Sequence, residues 1–151
     1  MTDIDLMQIA LAEARLALAE GELPVGCAIA REGRLIARAH NRRAATGDPT
    51  AHAEILALRA AGEALHDWRL KGCTLAVTLE PCPMCAGAIV QARVERLIYA
   101  ARDPAQGCAG SVYRLTEDPA FTHFCPADGG LLKAEAEALL RAFFDARRKN
   151  V

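Results

Sequence analysis

Residues 73–91 read CTLAVTLEPCPMCAGAIVQ, and this stretch decides the architecture. From Cys73 to Leu79 the residues are apolar or β-branched, the composition of a strand. Glu80-Pro81 ends that run. An Ala-rich segment follows from about residue 82 to 92 and predicts a helix, and Val94 to Ala101 reads as the next strand.

Working outward, Ala51 to Ala61 is rich in good helix formers and follows a polar loop, 42–50, punctuated by Gly47, Asp48 and Pro49. Upstream of that loop, Val25–Ala30 and Leu35–Ala39 predict two short strands, with Glu32-Gly33 as the turn of a β-hairpin. Met7, Ala10, Leu11, Ala14 and Leu18 recur at helical spacing, so residues 3–20 predict an amphipathic helix ending before Gly21 and Pro24. At the other end, 131–148 predicts a helix with Leu132, Ala136, Leu139, Leu140, Phe143 and Phe144 on one broad face. Its last residues, Arg147, Arg148 and Lys149, suit the negative end of a helix dipole. The order α-β-β-α-β-α-β, closed by this tail helix, suits helices packed on both faces of one mixed sheet, a three-layer α/β/α domain.

A chain of 151 residues is the size of one domain, expected to span 1–151. Apolar residues make up 52% of it, yet no run reaches the roughly 18 that a membrane span needs. The acidic start, Met1 to Asp5, lacks the basic and apolar regions of a secretory signal, so a soluble, cytoplasmic protein is expected. Six cysteines in such a chain read as free thiols or metal ligands and not as a disulfide framework. A net charge of -1 exerts no global pull on a polyanion, so any contact with nucleic acid must come from local patches.

Catalytic zinc takes three protein ligands and keeps one position open, where a water becomes usable as hydroxide near neutral pH. Three ligands are available here. Cys82 and Cys85 straddle the start of one predicted helix, where free N–H groups favour thiolate, and His52 opens another. Glu54, two residues on, would lie about 200 degrees around a helix from His52, too far to serve as a fourth ligand. It is free to carry protons. His52-Ala53-Glu54 with Pro81-Cys82-Pro83-Met84-Cys85 completes the H-x-E … P-C-x-x-C pattern already established for zinc deaminases of nucleobases.

Other readings compete. A bare C-x-x-C can be a redox pair, although that leaves His52 and Glu54 without a purpose. A structural zinc would need a fourth ligand from Cys73, Cys108, Cys125, His40, His66 or His123. Cys27 and Cys73 read as small core residues within strands. Trp68, Phe143 and Phe144 could stack on a base, but aromatics so placed are more often core. The Arg147-Arg148-Lys149 run reads as a solvated helix end.

Beyond the zinc motif, Leu23-Pro24-Val25-Gly26, Asn41-Arg42, Asp48 to Ile55, Thr78 to Cys82, Met84 to Ala88, Ala101-Arg102-Asp103 and Ala109-Gly110-Ser111 form distinctive blocks. Together with the closing Leu139-Leu140 … Phe143-Phe144 … Arg147-Arg148, they resemble the bacterial tRNA-specific adenosine deaminases of the cytidine deaminase-like superfamily. That resemblance implies a five-stranded mixed sheet, one Zn²⁺ per subunit, and conversion of the wobble adenosine of a tRNA anticodon stem-loop to inosine. It further implies that Asn41 hydrogen-bonds the target nucleotide, that Val25 and Leu79 wall the base, that Asp103 meets the loop's ribose or backbone, and that Phe144 helps close the pocket. A homodimer is implied as well. Gly21, Thr122-His123-Phe124 and Cys125-Pro126-Ala127-Asp128 depart from the family's usual pattern. Two alternatives stand beside this reading: a deaminase of free nucleobases, of guanine or cytosine type, and a catalytically idle RNA-binding or zinc-stabilised module.

Overall fold

The first helix begins where its sequence can satisfy its own free amides. In a computed structural model, which describes residues 1–149, the Thr2 hydroxyl accepts from the Asp5 amide at 3.1 Å. The Asp5 carboxylate accepts from the Thr2 amide at 2.8 Å. This capping box opens α1 (Asp3–Ala19), which buries Leu6, Met7, Ala10, Leu11, Ala14 and Ala17. Residues 150 and 151 of the expected 1–151 domain lie outside the described residues.

The expected hairpin follows as β1 (Gly26–Arg31) and β2 (Arg34–His40). Its two turn residues, Glu32 and Gly33, have φ of 53° and 75°, the twist that joins two antiparallel strands through a two-residue loop. Three further strands, β3 (Cys73–Leu79), β4 (Arg96–Ala101) and β5 (Ala127–Gly129), complete a sheet of order β2-β1-β3-β4-β5. β1 is antiparallel to both of its neighbours, and β3, β4 and β5 run parallel.

Alternation along the strands divides the core in two. Cys27, Ile29, Leu75, Val77, Leu97 and Tyr99 face α3 (Ala53–Leu65) and α4 (Pro83–Gln91). Ala28, Ala76, Ile98 and Ala100 face α1 and the terminal helix, α5 (Lys133–Lys149). The three-layer α/β/α arrangement with a five-stranded mixed sheet is the one expected. Cys27 and Cys73, each 0% exposed, are the small core residues the sequence suggested.

Several details differ from the sequence reading. The polar loop contains a short helix, α2 (Arg43–Thr46), and the fifth strand occupies only three residues of a segment without strand-like composition. Trp68 is not core, being 62% exposed. On α5 Ala136 and Phe143 are buried and Leu139 and Leu140 pack, partly buried, against the core, so the expected apolar face is present, but Phe144 is 48% exposed. No helix among the described residues is long and apolar enough to cross a membrane.

The topology also gathers ends. Gly26 pairs with His40 and Cys27 with Val77, so the start of β1, the end of β2 and the carboxyl end of β3 share one sheet edge. β4, parallel to β3, finishes there too. Leu79 closes β3, and Val25, Asn41 and Asp103 lie just beyond the ends of β1, β2 and β4; such an edge is where open α/β sheets hold ligands.

Candidate active site

His52 and Cys82 are the N-caps of α3 and α4, both in extended backbone, and neither side chain bonds its own helix's amides. His52 was expected inside the first turn; it precedes the helix instead, so the helical angle separating it from Glu54 does not apply. Pro83 takes the first position of α4, where its missing N–H costs nothing, and Cys85 follows in the first turn.

The freed cap side chains turn toward one another. His52 Nδ1 lies 3.6 Å from Cys82 Sγ and 3.5 Å from Cys85 Sγ. With Zn–N near 2.05 Å, Zn–S near 2.3 Å and a tetrahedral angle, the nitrogen-to-sulfur separation in a zinc site is about 3.6 Å. The donor set and its spacing therefore fit zinc. The hydrogen bond to the adjoining Cys82 sulfur, followed by burial, pushes the Cys85 thiol up, whereas the same bond, with help from His52, draws Cys82 down to about 4. Cys82 is thus the readily ionised thiol of the pair. Two helix N-termini directed at the same point favour further negative charge there.

Among the described residues, no other His, Cys, Asp or Glu joins this group. The side chains that could have completed a structural site lie elsewhere: His40 is between Glu13 and Glu20, His123 Nε2 is 2.6 Å from the Val94 carbonyl, Cys108 Sγ is 3.5 Å from the Gln106 carbonyl, and His66 caps the far end of α3. Cys73 and Cys125 are sealed in the core. Three ligands and no fourth is the catalytic pattern.

Glu54 is 4% exposed beside the ligands. Burial, the dominant influence, pushes its carboxyl up to about 7. A carboxyl so placed exchanges protons near neutral pH, as a general acid–base requires.

The pocket above is lined by Leu23, Val25, Asn41, Arg43, His52, Ala53, Glu54, Leu79, Glu80, Cys82, Asp103 and Gln106, and it encloses about 70 Å³. It brings together every site residue expected from the sequence except two. Cys85 is fully buried under the ligand cluster. Phe144 lies instead on an adjoining groove with Gly21, Phe143 and Arg147, which shares Leu23, Asn41 and Arg43 with the pocket.

Sequence reasoning missed the two buried carboxylates that hold the pocket walls. Glu22, 3% exposed, accepts from the amides of Ala44 and Ala45 at 3.0 and 2.7 Å and so caps α2. That cap steadies the turn that carries Asn41, whose Oδ1 accepts from the Arg43 amide (3.1 Å) and whose Nδ2 donates to the Leu23 carbonyl (3.3 Å). Glu80, 2% exposed, does similar work on the opposite side, under the loop after β4. Their only sequence signal was position, Glu80 within the Thr78 to Cys82 block and Glu22 directly before Leu23-Pro24-Val25-Gly26.

The fold and the ligand set define a zinc-dependent enzyme with its metal at the end of an α/β sheet. Residues 1–101 match the family described as the cytidine and deoxycytidylate deaminase zinc-binding region, and the chain belongs to this family of zinc deaminases. It is 45% identical over 151 residues to the tRNA-specific adenosine deaminase of Bacillus subtilis (strain 168), an alignment covering 99% of this chain and 94% of that protein. A solved structure from work on A-to-I editing by tRNA:A34 deaminases at the wobble position of transfer RNA superposes with a TM-score of 0.87 at 45% identity. It covers 90% of this chain and 99% of that one. The guanine deaminase of Nitrosomonas europaea is more distant, with a TM-score of 0.81 at 29% identity over 94% of this chain and 84% of that one.

Proposed function

We propose that this chain is a tRNA adenosine deaminase that converts the wobble adenosine of an anticodon stem-loop to inosine, working as a single catalytic domain over 1–151. The observation that carries the chemistry is the trio of His52 Nδ1, Cys82 Sγ and Cys85 Sγ at zinc spacing beside a buried Glu54. Identity of 45% along nearly the whole chain to a tRNA-specific adenosine deaminase supports the choice of substrate.

When bound by these three residues, zinc supplies a water whose pKa falls to about 7. Glu54 accepts the proton that this water gives up and delivers one to the purine ring nitrogen next to C6. It then takes the second proton from the same oxygen and passes it to the amino group, which leaves as ammonia. A C6–O bond forms, the C6–N bond breaks, and one water is consumed for each ammonia released. In this reading Val25 and Leu79 sandwich the flipped base, and Asn41, its amide already oriented by Leu23 and Arg43, hydrogen-bonds the target nucleotide. Asp103 meets the neighbouring ribose or backbone. Phe144 acts in the adjoining groove, against a nucleotide beside the target. Recognition of splayed loop bases in this way needs no large basic surface, in keeping with the net charge of -1.

The same reading includes a homodimer. An open groove of about 840 Å³ between α3 and α4, with Ile55, Leu58, Ala88 and Ala92 in its lining and the exposed Trp68 at its side, is the apolar surface a second copy would cover. Sedimentation should give twice the chain mass. Activity is tested by incubating the zinc-loaded protein with an anticodon stem-loop bearing a wobble adenosine, alongside free adenine, guanine and cytosine. Inosine in the RNA alone is the expected result; turnover of a free base without it would move the protein to the small-molecule branch.

A further inference from the structure

Glu80 stands at the end of β3, two residues before the ligand Cys82, with a carboxylate that never reaches solvent. Its Oε1 accepts from the Asp103 amide at 3.0 Å and from the Ser111 hydroxyl. Its Oε2 accepts from the amides of Ala109 (3.0 Å) and Ser111 (2.9 Å). Residues 103–111 therefore wrap this one side chain. The wrap is tight at Gly107, where an added Cβ would lie 2.4 Å from Glu80 Cδ and 2.5 Å from the Asp103 carbonyl oxygen. A second stitch ties the same loop to the ligand-bearing turn, because the Cys108 amide donates to the Pro81 carbonyl at 2.8 Å.

We propose that Glu80 is a positioning residue for the substrate: by gathering the amides of 103, 109 and 111 it sets the height and orientation of Asp103 and Gln106 at the pocket rim, relative to the metal ligands. A buried carboxylate is costly unless its lone pairs are filled. Here loop amides fill them, so the loop cannot move without exposing that cost. The side chain lines the same pocket as Asp103, Gln106 and Cys82, which places chemistry and rim on one rigid support. This inference rests on the reading of the pocket as an RNA-deaminating site.

Glu80→Gln provides a selective cut. An amide nitrogen in the Oε1 position can still donate to the Ser111 hydroxyl, which turns to accept, and the remaining oxygen keeps the amides of Ala109 and Ser111. The Asp103 amide alone loses its acceptor. The expected result in the zinc-loaded variant is at least tenfold faster hydrogen exchange at Asp103, with exchange at Ala109 and Ser111 far less altered. KM for the stem-loop should rise about tenfold, the scale of one orphaned buried amide. Turnover number should stay within about twofold and zinc at one per chain. Ile98→Val, which thins the core on the opposite sheet face, controls for general loosening and should leave KM unchanged.

Unchanged exchange at Asp103, an unchanged KM, or an equal rise in KM in Ile98→Val would each overturn the proposal. So would loss of zinc with collapse of turnover, which would place Glu80 in the metal cradle. Should the unmodified protein fail to convert wobble adenosine at all, the substrate reading falls, and the exchange pattern still decides whether Glu80 holds the loop.

Discussion

The metal and proton centre and the walls of the pocket above it are built on different principles. In the centre, His52, Cys82 and Cys85 gather with their ligand atoms within 4.8 Å of one another, Glu54 is buried beside them, and each is presented by the start of a helix. In the walls, the Asn41 and Asp103 side chains bond neighbouring backbone, but those bonds alone do not anchor the turns that carry them. Their places depend on Glu22 and Glu80, buried carboxylates that reach across 22 and 23 positions of sequence to collect backbone amides. The centre itself bridges 30 and 33 positions between His52 and the two cysteines, but it does so with particular side chains set in two short motifs, whereas the walls are held by contacts to backbone amides that any residue could supply. The two regions should therefore fail differently.

Breaking the centre should have the largest effect. Cys82→Ala removes the readily ionised ligand, and both zinc, assayed by atomic emission, and inosine formation should be lost together. Glu54→Gln separates the two roles within the centre: zinc content should remain while single-turnover deamination falls roughly 10²–10⁴-fold. A variant that deaminates within tenfold of the parent would remove Glu54 from the mechanism.

Breaking a wall should give a smaller effect of another kind. Glu22→Gln turns an amide N–H toward the Ala44 or Ala45 amide, a mismatch worth about 1–3 kcal/mol. Stability to urea should drop by that order, and KM for RNA should rise several-fold with turnover number nearly kept. If turnover number falls in parallel with the centre variants, the distinction between the regions collapses.

The smallest effect is expected far from both. The Asp3 carboxylate receives Arg96 Nη1 at 2.7 Å, and this hydrogen bond holds its pKa below the usual carboxylate range. Because the folded-state pKa is the lower one, the contribution is present above the unfolded pKa and is lost as pH falls through the folded value. Both side chains are more than a third exposed, so solvent screening leaves only a few tenths of a kcal/mol. Asp3→Asn should flatten the acid limb of the stability curve by that amount and leave KM and turnover number untouched.

Legibility in the sequence follows the same division. The ligands and Glu54 could be found because zinc demands particular side chains, and helix starts make their spacing short and regular. Strand composition, turn residues and helical spacing likewise disclosed β1 to β4 and the flanking helices. β5 was illegible: Ala127-Asp128-Gly129 has no strand composition and is a strand only because β4 offers it a free edge. Trp68 and Phe144 misled for the opposite reason, since an apolar side chain states what it could bury and not whether a neighbour arrives to cover it. Glu22 and Glu80 looked like surface charges.

By itself the sequence determined the candidate metal-binding residues, the layer order and the family, because each depends on residue type within short motifs. The tertiary structure alone decided which carboxylates are buried, which loops they hold, and that Asn41 and Asp103 face each other across one pocket. Those facts arise when the antiparallel and parallel halves of one sheet bring distant strand ends to the same edge, a consequence of strand pairing that no local stretch of chain encodes.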